Sequence, residues 1–159
     1  MKADPIPRNY QQLAPYITVS NASAALEFYK KVFGAKERMC LREPNGRIGH
    51  AEVDIGSGLL MFSDPYEGHT PTPEKLGGTT LTLSLYVEDV DATIARAVEA
   101  GSKVVMPAKD QFYGDRSGRI LDPFGHMWNI ATHIEDVSPE EMNRRMAEWS
   151  KTGGCSENK

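Results

Sequence analysis

Tyr16-Ile17-Thr18-Val19 alternates polar and apolar positions, the period-2 signature of a strand with one face buried. From residue 21 the period changes. Leu26, Tyr29, Val32 and Phe33 recur at helical spacing, Asn21 or Ser23 is placed to cap the first turn, and Gly34 ends the run. Three strand-like segments follow: KERMCLRE, GHAEVDI and GLLMFSD. Residues 82–87 then restart the plan, with Leu83, Leu85 and Val87 alternating against Thr82, Ser84 and Tyr86. Asp89 is the cap, Ile94, Ala97 and Val98 form the buried stripe, and Gly101 is the stop. SKVVMP, GRILDP and HMWNIAT supply three more strands, with Trp128 on the helix-facing side.

The two series keep register. Val87 minus Val19 is 68, Gly101 minus Gly34 is 67, and Gly125 minus Gly58 is 67. So steady an offset predicts a tandem βαβββ repeat, with Gly56-Ser57-Gly58 and Pro123-Phe124-Gly125 in equivalent hairpins. The expected organisation is a tail over 1–11, modules over 12–64 and 80–133, and a linker or lid over 65–79 rich in Pro and Gly. A helix over 134–152 and a tail over 153–159 complete it. Ser138 and Glu141 make a capping box, and Met142, Met146 and Trp149 form an apolar stripe for this chain's sheet or a partner's. KDQFYGDRSG, residues 109–118, reads as a loop.

Composition narrows the function classes. Apolar residues at 40% and charged ones at 25% are ordinary for a soluble domain. Eighteen basic and twenty-two acidic side chains are scattered along the chain, a pattern that points to neither nucleic acid nor an anionic membrane. MKADPIPRNYQQL lacks the apolar stretch of a signal peptide, and no window nears the about eighteen apolar residues of a spanning helix. Cys40 and Cys155 lie far apart, so free thiols and a cytoplasmic setting are expected.

PYITVSNASAALEFYKKVFGA, LYVEDVDATIARAVEAG and DRSGRILDPFGHMWNIAT together resemble the vicinal oxygen chelate superfamily, which includes glyoxalase I, extradiol dioxygenases, and fosfomycin- and bleomycin-resistance proteins. The similarity is strongest to its glyoxalase-like bacterial branch. It implies an α+β fold in which two curved mixed sheets wrap a cup, often in a homodimer. In the superfamily's metal enzymes, ligands come from the first and last strand of each half. Counting back five from Val19 and Val87, and four past Gly58 and Gly125, places those positions at Ala14, Thr82, Phe62 and Asn129. A methyl, a hydroxyl, a benzyl and a carboxamide are poor donors for a divalent cation, so no metal and no cofactor are expected there.

Parity turns His50 and Glu52 toward the cup, and the 67-residue offset matches them to Ser117 and Arg119. Glu52 and Arg119 are then an ion pair between the sheets, or Arg119 is an anchor for an anionic ligand. Tyr16, Thr18, Phe62, Thr82, Ser84, Tyr86, Tyr113, Arg119 and Asn129 are the expected ligand-binding set. Their aromatic, hydroxyl, amide and guanidinium groups suit a small aromatic or hydrophobic organic molecule. His126 reads as exposed or turn-bonding, His69 as a loop residue, and His133 as a partner of Glu135 or Asp136. Two functions remain open: a non-enzymatic binder, or a lyase, isomerase or dioxygenase. The enzyme uses a displaced metal or metal-free acid–base chemistry at His50 and Glu52.

Overall fold

The computed structural model describes residues 3–151. The tail from 153 onward, with Cys155, and the last residue of the expected C-terminal helix lie outside these described residues.

The chain forms β1 (Tyr16–Thr18), α1 (Ala22–Phe33), β2 (Lys36–Arg42), β3 (Ile48–Ile55) and β4 (Gly58–Ser63) in its first half. A one-turn helix, α2 (Pro73–Leu76), interrupts the linker. The second half repeats the plan with β5 (Thr82–Tyr86), α3 (Val90–Glu99), β6 (Lys103–Asp110), β7 (Asp115–Leu121) and β8 (Met127–His133), and α4 (Pro139–Lys151) closes the chain. The sheets are ordered β1-β4-β3-β2 and β5-β8-β7-β6, with the first-strand pairings parallel and the rest antiparallel. Asn21 caps α1, its side chain accepting from the Ala24 amide at 2.9 Å, and Gly34 ends the helix at φ 66°. Asp89 does the same for α3 through the Ala92 amide. Residues 109–118 are not one long loop: β6 continues to Asp110 and β7 starts at Asp115.

Both sheets bury their helix-bearing faces in one core. Tyr29 on α1 packs against Phe62 of its own sheet and against Trp128 of the other, with ring centroids 5.5 and 5.7 Å away. Phe33 lies 4.5 Å from Trp128, and α3 reaches α1 where Arg96 donates to the Val32 carbonyl. Gly118 lets α3 come this close: a Cβ there would sit 2.7 Å from Ile94 Cδ1 and 3.0 Å from the backbone of β6. The other face of each sheet turns away from the shared core and stays open. A single chain therefore does not close its two open faces over one cup. No helix among the described residues is long and apolar enough to cross a membrane.

α4 docks by its ends and edges. Arg145 pairs with Glu135 and Glu141 and donates to the Phe112 carbonyl, and the Trp149 ring lies 5.6 Å from that of Phe112. None of its residues is buried, and Met146 is exposed.

Candidate functional site

Cross-strand register decides which residues share an open face. On the first sheet the row Met39–Glu52–Met61–Tyr16 runs across the strands; on the second, the matching row is Met106–Arg119–Asn129–Ser84. Glu52 and Arg119 are equivalent, as the spacing predicts, but Asn129 is equivalent to Met61 and not to Phe62. Phe62 is fully buried beside Ile17 and against Tyr29, on the helix-bearing face. The reason is one residue in a turn. Ile55 pairs with Gly58 across a two-residue turn, whereas Asp122 and His126 flank three residues, so the offset grows from 67 to 68 at the hairpin. Counting from the turn glycine slips the first half by one and exchanges the faces.

The positions at which the resemblance implies metal ligands therefore fall at Ala14, Met61, Thr82 and Asn129. A methyl, a thioether, a hydroxyl and an amide do not fit a divalent cation, which needs several anionic or imidazole donors. His50 and Glu52 do not replace them, because they are spent on each other. Among the described residues no group of three or more His, Cys, Asp or Glu side chains is placed to hold a metal ion.

The first sheet's open face carries a hydrogen-bonded chain. Glu52, only 4% exposed, accepts from Tyr10 Oη at 2.8 Å and lies 2.9 Å from His50 Nε2. His50 Nδ1 is 3.2 Å from Tyr16 Oη, and the rings of Tyr16 and His50 lie 5.6 Å apart. Burial opposes the charge on Glu52, but the bonds to His50 and Tyr10 outweigh it and hold the carboxyl below its ordinary range. An ionised carboxylate only accepts, so His50 carries its proton on Nε2 and presents Nδ1 to the Tyr16 hydroxyl. Glu52 makes no ion pair with Arg119, contrary to the paired alternative. Tyr10, from the segment expected to be a free tail, straps over this face. Arg38 holds it through the Asn9 carbonyl and over the Tyr10 ring, and Gln11 donates to the Ser57 carbonyl. Nothing in the spacing of the tail points to that role.

The second sheet's open face is different in kind. Arg119 is exposed and its side chain, alone among those of the described arginines, makes no ion pair or hydrogen bond. Arg116, by contrast, is locked to Asp91 and Asp110. Beside Arg119 stand Asn129, whose amide donates to Ser84 Oγ at 3.4 Å, and Ser117, within 3.3 Å of Tyr113 Oη. Tyr86 is 64% exposed and donates to the buried Asp115 at 2.6 Å. Thr82 and Ser84 are exposed on the same strand, and Thr18, on the first sheet, is buried.

The remaining histidines separate clearly. His133 bridges Asp115 at 2.8 Å and Asp136 at 3.0 Å, which meets the Asp136 expectation and adds a partner 18 residues upstream. His126 is not exposed: it is 6% accessible, with Nε2 3.0 Å from the Thr18 carbonyl. His69 stays in the linker near Tyr66.

The profile of the Glyoxalase/Bleomycin resistance protein/Dioxygenase superfamily matches residues 10–130. An uncharacterised protein of Mycobacterium bovis is 38% identical over 139 residues, 85% of this chain and 91% of that one. Among solved structures, TioX from Micromonospora sp. ML1 is similar at TM-score 0.62 and 25% identity, covering 79% of this chain and all of that one. A Pseudomonas aeruginosa protein is similar at TM-score 0.63 and 26% identity with the same coverage.

Proposed function

Since the chain belongs to the Glyoxalase/Bleomycin resistance protein/Dioxygenase superfamily, we propose that it binds a small organic molecule bearing an anionic group and an apolar or aromatic body. The observation that carries this reading is Arg119. An exposed guanidinium left without a carboxylate, beside an amide and several hydroxyls on the open face of the second sheet, matches the fork geometry of a carboxylate or phosphate. Met106 and Met127 on the same face, with the Tyr86 and Tyr113 rings nearby, supply adaptable apolar contact for the body of the ligand. Two copies pair so that each site joins the first sheet's face of one protomer to the second sheet's face of the other. The open faces within one chain, and the exposed Leu41, Val104 and Val105 on edge strands β2 and β6, support that pairing.

A thermal-shift screen of aromatic carboxylates and phosphonates, each beside its neutral amide or ester, tests the reading. The acids are expected to stabilise the protein more than their neutral counterparts. Arg119→Gln is expected to weaken them by about ten- to a hundredfold, the worth of a charge-assisted hydrogen bond. Neutral compounds binding as well as acids, or acids indifferent to the substitution, would overturn it.

A further inference from the structure

Tyr16, the last member of the hydrogen-bonded chain on the first sheet, also lines a cavity. Tyr16, Thr18, Pro71, Leu76, Leu81 and His126 border a space of about 530 Å³ between β1 and the linker. Tyr16 thus belongs to two settings: its hydroxyl meets His50 Nδ1, and the residue itself lines an open, largely apolar chamber. Leu76 and Leu81 are 64% and 45% exposed in a linker otherwise rich in Thr, Pro and Gly, so this chamber offers uncovered apolar surface beside Tyr16.

The geometry points to a base-activated hydroxyl: Glu52, His50 and Tyr16 form a carboxylate–imidazole–hydroxyl relay, and the adjoining cavity receives the acyl group of a small, apolar activated ester. Each member has a distinct task. Glu52 is the positioning residue; it fixes the imidazole tautomer and balances the imidazolium that forms. Tyr10 completes it by occupying the second carboxylate oxygen, which keeps Oε1 committed to His50. His50 is the base. Tyr16 is the catalytic residue, the group that meets the ester.

In the step proposed, Tyr16 Oη bonds to the ester carbonyl carbon as the bond from that carbon to the leaving oxygen breaks. The phenol proton passes to His50 Nδ1, and the leaving group departs as its anion and takes up a proton from the medium. No electrons are exchanged with any other reagent. The product, an aryl ester, is itself an activated acyl group and can pass the acyl on to water or to another acceptor. This chemistry uses neither Arg119 nor a metal ion, and it stands independently of the anionic ligand.

The test uses p-nitrophenyl butyrate, a neutral ester with a short apolar acyl chain, on the full-length protein. A burst of nitrophenolate approaching one per chain is expected, with mass spectrometry placing the butyryl group on Tyr16. Tyr16→Phe is expected to abolish the burst, and His50→Gln to slow it by about a hundredfold, the usual contribution of a general base. Both positions are partly exposed, so these variants are expected to retain the wild-type circular dichroism spectrum. Nitrogen NMR of the His50 ring separates positioning from a merely structural role: wild type holds the proton on Nε2, and Glu52→Gln is expected to show mixed tautomers and a slower burst. Butyryl groups spread over several tyrosines and lysines, or a burst unchanged in His50→Gln, would sink the relay.

Discussion

Asp122 is 3% exposed, and each of its carboxylate oxygens takes two donors. Oδ1 accepts the Phe124 and His126 amides at 2.9 Å and so folds its own turn. Oδ2 accepts Trp128 Nε1 at 3.0 Å and Tyr29 Oη at 3.1 Å, tying that turn to α1 of the other half. Burial and the neighbouring Asp122 carboxylate push the Tyr29 phenol well above its ordinary range, which keeps it a donor. Replacing Asp122 by Ala leaves four donors unpaired, three of them buried. We expect a loss of about 3 kcal/mol, or roughly 6–12 °C in the thermal midpoint for a domain of this size. Asp122→Asn retains one accepting oxygen and is expected to lose about half as much. Equal midpoints for wild type and Asp122→Ala by calorimetry would show that this carboxylate does not hold the two halves together. At this scale the sequence was readable only in part: the DPFG turn is evident, but the Tyr29 partner lies 93 residues away and leaves no local signal.

Elements were more legible than residues, because caps, stops and periodicities are local. Asn21, Asp89 and Gly34 act where their spacing places them, and every strand of the repeat is present. What failed was a count carried through a turn of unequal length, which put Phe62 on the wrong face. The C-terminal segment shows a different limit. Gly114 at φ 94° accepts no side chain, since a Cβ would lie 2.1 Å from the Glu135 carbonyl oxygen. This contact brings Ile134 and Glu135 onto the Gly114 carbonyl and sets His133 between Asp115 and Asp136. Hydrogen bonds to Asp115 and then Asp136 raise the imidazole above its ordinary value. Both ring nitrogens are donors only in the charged form. A raised value in the folded state means the stabilisation is fully present below about pH 6.5, the unfolded reference. It is lost as pH rises through the folded value. Hydrogen exchange at the Ile134 and Glu135 amides is therefore expected to slow, relative to the intrinsic rate, as pH falls through this window. In His133→Gln the protection should not change with pH; a pH response that survives the substitution would assign the effect elsewhere.

At the scale of the whole molecule, the two halves present unlike open faces from like folds. The first offers a buried carboxylate with its imidazole and phenol; the second offers an unpaired guanidinium. The repeat made the fold and the equivalence of Glu52 with Arg119 legible. It did not reveal that the sheets share one core through their helix-bearing faces, because periodicity marks which face is buried and not against what. If each site takes one face from each of two copies, defects on different faces must complement. Met61→Arg fills the first face and Arg119→Gln empties the second, so every site in either homodimer carries one defective half. After subunit exchange, half of the dimers contain one copy of each variant. In each of these, one site collects both defects and the other collects none, which restores about a quarter of all sites. The measurement is titration with an acid found by the thermal-shift screen, before and after mixing, with exchange verified by native mass spectrometry. Recovery near that fraction places the site between protomers. Exchange without recovery would confine binding to one chain, and the pairing of open faces would then have to be abandoned.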